Sequence, residues 1–248
     1  MADEFTILVG TAGQGIMRSG DGGESWQRVA KNQGMYQNPV VRALVPHPAR
    51  PNVIYAGTDR GVFWSDGAGQ NWQTQQSPLS DFTVWTLAIG STNPDNMYAG
   101  TGTPSPVAMF RSTDGGTSWQ RRPMNVVEKC PIGLPQMTGI AIEPTNPQSI
   151  WAGIGVDGLG HSSDGGETWN GVGIKDSFPY AYPRGITVHP DDPKTIFVTI
   201  GDATPGWIGT VMRSQDTGKT WENLPLSPQQ CHVGYQCPAL QFPVGLCR

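Results

Sequence analysis

Ser112-Thr113-Asp114-Gly115-Gly116-Thr117-Ser118-Trp119 is one of five related stretches in this 248-residue chain. The others are Ser19-Gly20-Asp21-Gly22-Gly23-Glu24-Ser25-Trp26, Ser162-Ser163-Asp164-Gly165-Gly166-Glu167-Thr168-Trp169, Ser214-Gln215-Asp216-Thr217-Gly218-Lys219-Thr220-Trp221 and a degenerate copy, Ser65-Asp66-Gly67-Ala68-Gly69-Gln70-Asn71-Trp72. Their closing tryptophans are spaced 46, 47, 50 and 52 residues apart. A period of that size marks one supersecondary unit repeated as an array. Each residue type has a local task. The aspartate accepts hydrogen bonds from its own turn, the glycines supply positive φ, and the serine adds a further local bond. The tryptophan is the apolar payload, an indole of roughly 150–250 Å².

Working outward, every unit repeats the same grammar. A first apolar run (Val41-Arg42-Ala43-Leu44-Val45, or Val84-Trp85-Thr86-Leu87-Ala88-Ile89) meets a proline-rich turn such as His47-Pro48 or His189-Pro190. A second run follows, as in Val53-Ile54-Tyr55-Ala56-Gly57, and a third, as in Ala108-Met109-Phe110-Arg111, leads into the motif. The fourth begins at the tryptophan. Short β-branched and aromatic runs bounded by Gly, Pro, Asn and Asp are strands. Helical periodicity is not sustained anywhere. Four strands per repeat around an axis predict an all-β fold, a β-propeller of about five four-stranded blades.

These residues resemble the Asp-box, or BNR, repeat over about residues 5–224. That superfamily includes sialidases, sortilin-type receptor ectodomains, xyloglucan-cleaving glycosidases and photosystem-assembly factors. The resemblance implies that the boxes lie on the face away from the functional cleft. A sialidase is expected to carry a Phe/Tyr-Arg-Ile-Pro segment and three arginines for the substrate carboxylate. The segment does not occur here, and two arginines rather than three take channel-mouth positions. The cysteine-rich modules of sortilin-type receptors are not matched either.

The N-terminal segment Thr6–Thr11 reads as a second strand, so closing the ring needs a first strand from elsewhere. Residues 1–224 form the propeller in this reading, and residues 225–248 are a closing strand or an atypical tail. The sequence favours closure by Ala239-Leu240-Gln241-Phe242, because an open ring leaves exposed edges. Cys231, Cys237 and Cys247 crowd that segment. Their spacing does not fit a metal site, and the expectation is no metal and no cofactor. A net charge of −4 without a basic cluster argues against nucleic acid. No apolar run reaches transmembrane length, so no membrane partner is expected. The N-terminus lacks a signal-peptide pattern. A cytoplasmic protein is the default expectation, and a removed leader would make it a secreted one.

Alternate connections of a blade lie on opposite faces. The long loops 27–40, 73–83, 120–136 and 170–183 therefore share the face opposite the motif turns, where function is expected. Arg42, Trp85, Thr138 and Arg184 occupy equivalent places at the start of the innermost strands, near the channel mouth. Arg42 and Arg184 are candidates for binding a carboxylate or sulfate, and Trp85 lies beside them. Tyr36, Tyr180 and Tyr182 are candidates for stacking on a sugar, or for packing their loops. Weak catalytic candidates on the same face are Asp59, Asp81, Glu128, Asp157, Asp176 and Asp202, since glycoside cleavage needs two carboxyls flanking the bond. His47 and His189 read as turn residues and His161 as a surface variant. The expected function is binding of a small polar ligand, a glycan or a protein on the loop face. The alternative is a glycoside hydrolase or lyase-like enzyme at the channel mouth.

Overall fold

A computed structural model describes residues 5–224 except 75, 125–134, 157, 175–176 and 203–205. The fold is all-β, with five antiparallel sheets that follow one another along the chain as blades of a propeller. The first blade has three strands, β1 (Ile7–Gly10), β2 (Ile16–Ser19) and β3 (Gln27–Arg28). The second runs β4 (Val41–His47), β5 (Arg50–Thr58), β6 (Gly61–Ser65) and β7 (Gln73–Thr74). The third is β8 (Val84–Ile89), β9 (Met97–Thr101), β10 (Met109–Ser112) and β11 (Gln120–Arg122). The fourth is β12 (Met137–Ile142), β13 (Ile150–Ile154), β14 (Gly158–Ser162) and β15 (Asn170–Val172). The fifth is β16 (Tyr182–Val188), β17 (Ile196–Gly201), β18 (Gly209–Ser214) and β19 (Glu222–Leu224). Among the described residues the one helical element is a 3-10 turn, Lys31–Gln33, and no helix is long and apolar enough to cross a membrane.

Each sheet is a meander whose strands pair with their sequence neighbours. Successive innermost strands β4, β8, β12 and β16 pack against one another, and β1 packs on β4. The first blade has no innermost strand of its own among the described residues, so one edge of β1 borders an open groove of about 340 Å³ shared with Val41–Leu44. The proposed closing segment Ala239–Phe242 and the three cysteines lie outside the described residues.

The five motif turns are built alike. In the third, buried Ser112 donates its hydroxyl to Asp114 Oδ1 at 2.7 Å and accepts from Gly116 N–H at 2.8 Å. Asp114 accepts from Ser118 N–H and from the Ser118 hydroxyl. Trp119 donates its indole N–H to Gly116 O at 3.0 Å, which folds the ring back over the turn. Gly115 and Gly116 take φ +68° and +86°, the left-handed region that disfavours other residues. The degenerate turn keeps the serine and tryptophan bonds.

These bonds go to the ionised carboxylate and depress its pKa. Asp164 is held at about 2 by the Thr168 hydroxyl, the Thr168 N–H and the Ser162 hydroxyl, in that order. Asp216 is likewise at about 2, and Asp21 and Asp114 are lowered for the same reasons. A carboxylate depressed in the folded state stabilises the fold above its unfolded pKa. That contribution is lost as pH falls from about 4 toward about 2. Melting temperature is therefore expected to drop across that window, and Asp164→Asn is expected to reduce the drop. An unchanged acid profile in the variant would show that the turn carboxylate is not linked to folding.

The apolar core lies between the blades. Trp72 packs with Ile16 and Val29 of the blade before it. Trp119 packs with Val53, Tyr55 and Leu79, and Trp169 is packed against Tyr98 and Met109. Trp221 meets Phe178 edge-on, with ring centroids 5.1 Å apart. Hydrogen bonds between blades reinforce the wedges of Trp72, Trp119 and Trp169. Arg18 donates to Ala68 O, Tyr55 to Gly115 O, and Tyr98 to Gly165 O, at 2.9, 3.1 and 3.0 Å. Trp26 is the exception to the expected burial. It is 42 % exposed, because no blade precedes it among the described residues.

His47 and His189 serve their turns. The Nδ1 of each accepts two backbone N–H groups, from Ala49 and Arg50 and from Asp191 and Asp192 respectively. His161 is more than a surface variant. It stacks on Trp151 at 4.3 Å and bonds the Ser149 hydroxyl, and burial lowers its pKa.

Candidate functional site

Every innermost strand is interrupted at the same place. Partners run Val41↔Thr58 then Ala43↔Gly57, leaving Arg42 unopposed. The same break isolates Trp85, Thr138 and Arg184. A bulge leaves its extra residue out of the ladder and re-aims its side chain. The four positions singled out in the sequence are thus four successive bulges, one in each of blades two to five.

The glycines opposite explain how the break fits. Gly57, Gly100 and Gly153 close β5, β9 and β13, directly against the first residues of the next blade. A Cβ on Gly100 would sit 2.4–2.8 Å from Met137, so only glycine lets β12 approach this closely.

The bulge residues connect across blades. The guanidinium of Arg42 lies over the Trp85 ring, 3.8 Å from its centroid. Trp85 is oriented by its indole N–H, which donates to Thr103 O at 2.9 Å. Gly102 bridges to Gln136, whose side chain bonds the Tyr182 hydroxyl. The Arg184 guanidinium stands over the Tyr182 ring at 4.6 Å. Thr138 donates to Pro183 O at 2.8 Å, tying blade four to blade five. At the other end, Arg60 covers the Tyr36 ring at 4.5 Å, and Tyr36 donates to Asp59. The result is three cation–ring pairs, Arg60–Tyr36, Arg42–Trp85 and Arg184–Tyr182, along blades two to five, with Arg42 and Arg184 exposed.

Electrostatics fit this placement. Partial burial lowers the Arg42 pKa from its usual value, and the nearby Asp59 carboxylate opposes that shift. Burial, and then the bond to Asp59, raise the Tyr36 phenol above its ordinary range. Tyr36 therefore remains a neutral donor at ordinary pH.

The candidate acids divide by position. Asp59 spends Oδ1 on the Tyr36 hydroxyl and on Val40 N–H at 2.8 Å. Asp202 accepts from Trp207 N–H at 3.0 Å and so holds the connection between β17 and β18. Asp81 is an exposed turn residue. Glu128, Asp157 and Asp176 lie outside the described residues. No group of three potential metal ligands occurs among the described residues.

The tyrosines divide as well. Tyr182 is buried, with its ring under Arg184, and Tyr180 packs on the core between blades four and five. One aromatic of this face was missed in the sequence. Trp207 is 68 % exposed and Ile208 beside it 53 %, both in the β17–β18 connection. Its signal was the break Pro205-Gly206 ahead of an unpatterned tryptophan.

No family model matches the chain. An oligoxyloglucan-reducing end-specific xyloglucanase from Emericella nidulans is 28 % identical over 219 residues, covering 77 % of this chain and 25 % of that protein. The structure resembles that of an ancestral GH74 enzyme with a TM-score of 0.72 at 19 % identity, covering 88 % of this chain and 29 % of the other. YCF48 from Cyanidioschyzon merolae aligns with a TM-score of 0.56 at 18 % identity, covering 85 % of this chain and 63 % of that one. The chain spans about a quarter of the length of the curated relatives it matches.

Proposed function

We propose that the chain binds a glycan along its bulge row, with Arg42, Trp85 and Arg184 as the contacting residues and exposed Trp207 as an added stacking surface. The observation that carries this reading is the Arg42–Trp85 stack, two successive bulge residues held face to face. A planar indole, held in place by its N–H bond to Thr103 O, suits the apolar face of a sugar ring. Guanidinium groups supply donors to the sugar hydroxyls. The relatives named as xyloglucanases make a β-glucan chain with xylosyl branches the first ligand to test. In the same reading the five motif turns are Asp boxes and serve the fold rather than the ligand.

Titration of the full chain with xyloglucan oligosaccharides in a calorimeter tests this. Arg42→Ala and Trp85→Ala are each expected to weaken binding about tenfold or more, the equivalent of about 1.4 kcal/mol. Their melting temperatures should stay close to that of the parent. Equal affinity in both variants would refute the site.

A second reading is hydrolysis at the same place, favoured by the activity in the relatives' names. Two carboxyls would have to flank the scissile bond. Asp59 is the described candidate nearest this role, because it interacts with Arg42. Release of new reducing ends from xyloglucan, abolished by Asp59→Asn, supports it. Binding without release leaves the first reading alone standing.

A further inference from the structure

Blades one and three send the same two arginines toward the blade that follows. Arg18 and Arg111 each precede a motif serine. Each donates to a carbonyl of the next motif turn, Ala68 O at 2.9 Å and Gly165 O at 3.2 Å. Arg28 and Arg122 lie beside them on the outermost strands, paired with Met17 and Met109, the residues two before those serines. The junctions of blades one and two and of blades three and four therefore begin from one cationic pair.

They are completed differently. Arg122 forms a 2.7 Å ion pair with Glu167, the sixth residue of the motif in the next blade. The sixth residue of the motif facing Arg28 is Gln70. Its third residue, an aspartate in the other four copies, is Gly67. Among the described residues Arg18 and Arg28 bond to neutral oxygens, Arg18 to Ala68 O and Thr6 Oγ1, and Arg28 to Asn38 Oδ1. A cleft of about 230 Å³ opens at this junction. Arg18 and Arg28 line it with the amide side chains of Gln27, Gln33, Gln70 and Asn71, and its lining contains no acidic side chain. Gln33 fixes one wall, donating to Gln70 O and accepting from Ala30 N–H.

We propose that this cleft binds a small hydroxylated carboxylate of the sugar-acid class, whose carboxylate takes the place that Glu167 holds two blades further on. A guanidinium offers paired N–H donors that match a carboxylate. The amides of Gln27, Gln70 and Asn71 supply donors and acceptors for hydroxyl groups. The volume lies below the roughly 300–1,000 Å³ that holds drug-sized ligands, so the cleft suits one monosaccharide rather than a chain. It sits at the outermost strand of blade one, whereas the bulge row opens the innermost strands. The proposal therefore does not rest on the glycan reading of that row.

Calorimetric titration of the full chain with sodium glucuronate tests it, with glucose and sulfate as comparison ligands. The expected result is saturable glucuronate binding that weakens as salt is added. Glucose should not bind, and sulfate should bind at least about tenfold more weakly than glucuronate. Gln70→Glu supplies the side chain that completes the other junction, so it should abolish glucuronate binding. The motif already carries glutamate at this position as Glu24 and Glu167, and the variant's melting temperature should stay at or above that of the parent. Arg28→Gln, an exposed change, should weaken binding at least about tenfold with melting unchanged. Any affinity for xyloglucan oligosaccharides should be the same in Gln70→Glu as in the parent, which separates this site from the bulge row. No saturable glucuronate binding by the parent, or undiminished binding by Gln70→Glu, overturns the proposal. Sulfate bound as tightly as glucuronate overturns it too, because the amides would then have no part in recognition.

Discussion

Trp119→Ala is expected to lower the unfolding free energy by about 3–5 kcal/mol, the range for deleting a buried tryptophan. The indole is 5 % exposed and packed among Val53, Tyr55, Leu79 and Phe110, so its removal opens a cavity between blades two and three. Its N–H bond to Gly116 O is lost as well, which loosens the turn whose carbonyl at Gly115 receives the Tyr55 hydroxyl. For a domain of this size each kcal/mol moves the melting temperature by about 2–4 °C, so the expected fall is roughly 6–20 °C. The same substitution at Trp26, measured in dilute protein, is expected to cost less than about 1 kcal/mol, in keeping with surface positions. The two tryptophans close the same motif and differ only in what lies next to them. Equal losses at both would mean that Trp26 is covered in solution and that the first blade already has a neighbour.

Gly34→Ala is expected to be nearly as damaging, although it adds one methyl group. Gly34 follows the 3-10 turn with φ +93°, and an ideal Cβ there would stand 1.8 Å from the Trp72 carbonyl oxygen. Backbone oxygen cannot yield as a flexible side chain would, so the loop must withdraw. Withdrawal gives up two ties between blades one and two, Trp72 N–H to Gln33 O at 2.7 Å and Gln33 Nε2 to Gln70 O at 2.9 Å. At about 1 kcal/mol for each bond and about 1–3 kcal/mol for a strained left-handed residue, the loss is about 3–5 kcal/mol. Chemical denaturation measures it, and a cost below about 1 kcal/mol would show that the loop does not hold these blades together.

The candidate site was half legible. Arg42, Trp85, Thr138 and Arg184 stood out as the one variable column in a repeated strand, which sequence alignment within the chain can find. That each is the extra residue of a bulge was not legible, since bulging depends on how Gly57, Gly100 and Gly153 meet the next blade. The tyrosines were legible as aromatic but not as to fate. Tyr182 is buried by Gln136, which lies 46 residues away, and by Arg184 above it. Trp207 went unmarked because it belongs to no repeat.

Physical range separates what the amino-acid sequence by itself determined from what the tertiary structure decided. The motif turns were settled locally, because their bonds span two to four residues, as from Ser112 to Asp114 and Gly116, and the hairpins and four-stranded meander pair strands that follow one another in the chain. The array itself followed from the period of those turns. What only the folded chain decided is everything one blade does to the next. A neighbour about fifty residues away buries Trp119 and leaves Trp26 bare, stacks Arg42 on Trp85, and ties Thr138 to Pro183. Such contacts join residues that no local pattern links, and they form only when whole sheets have been placed against each other.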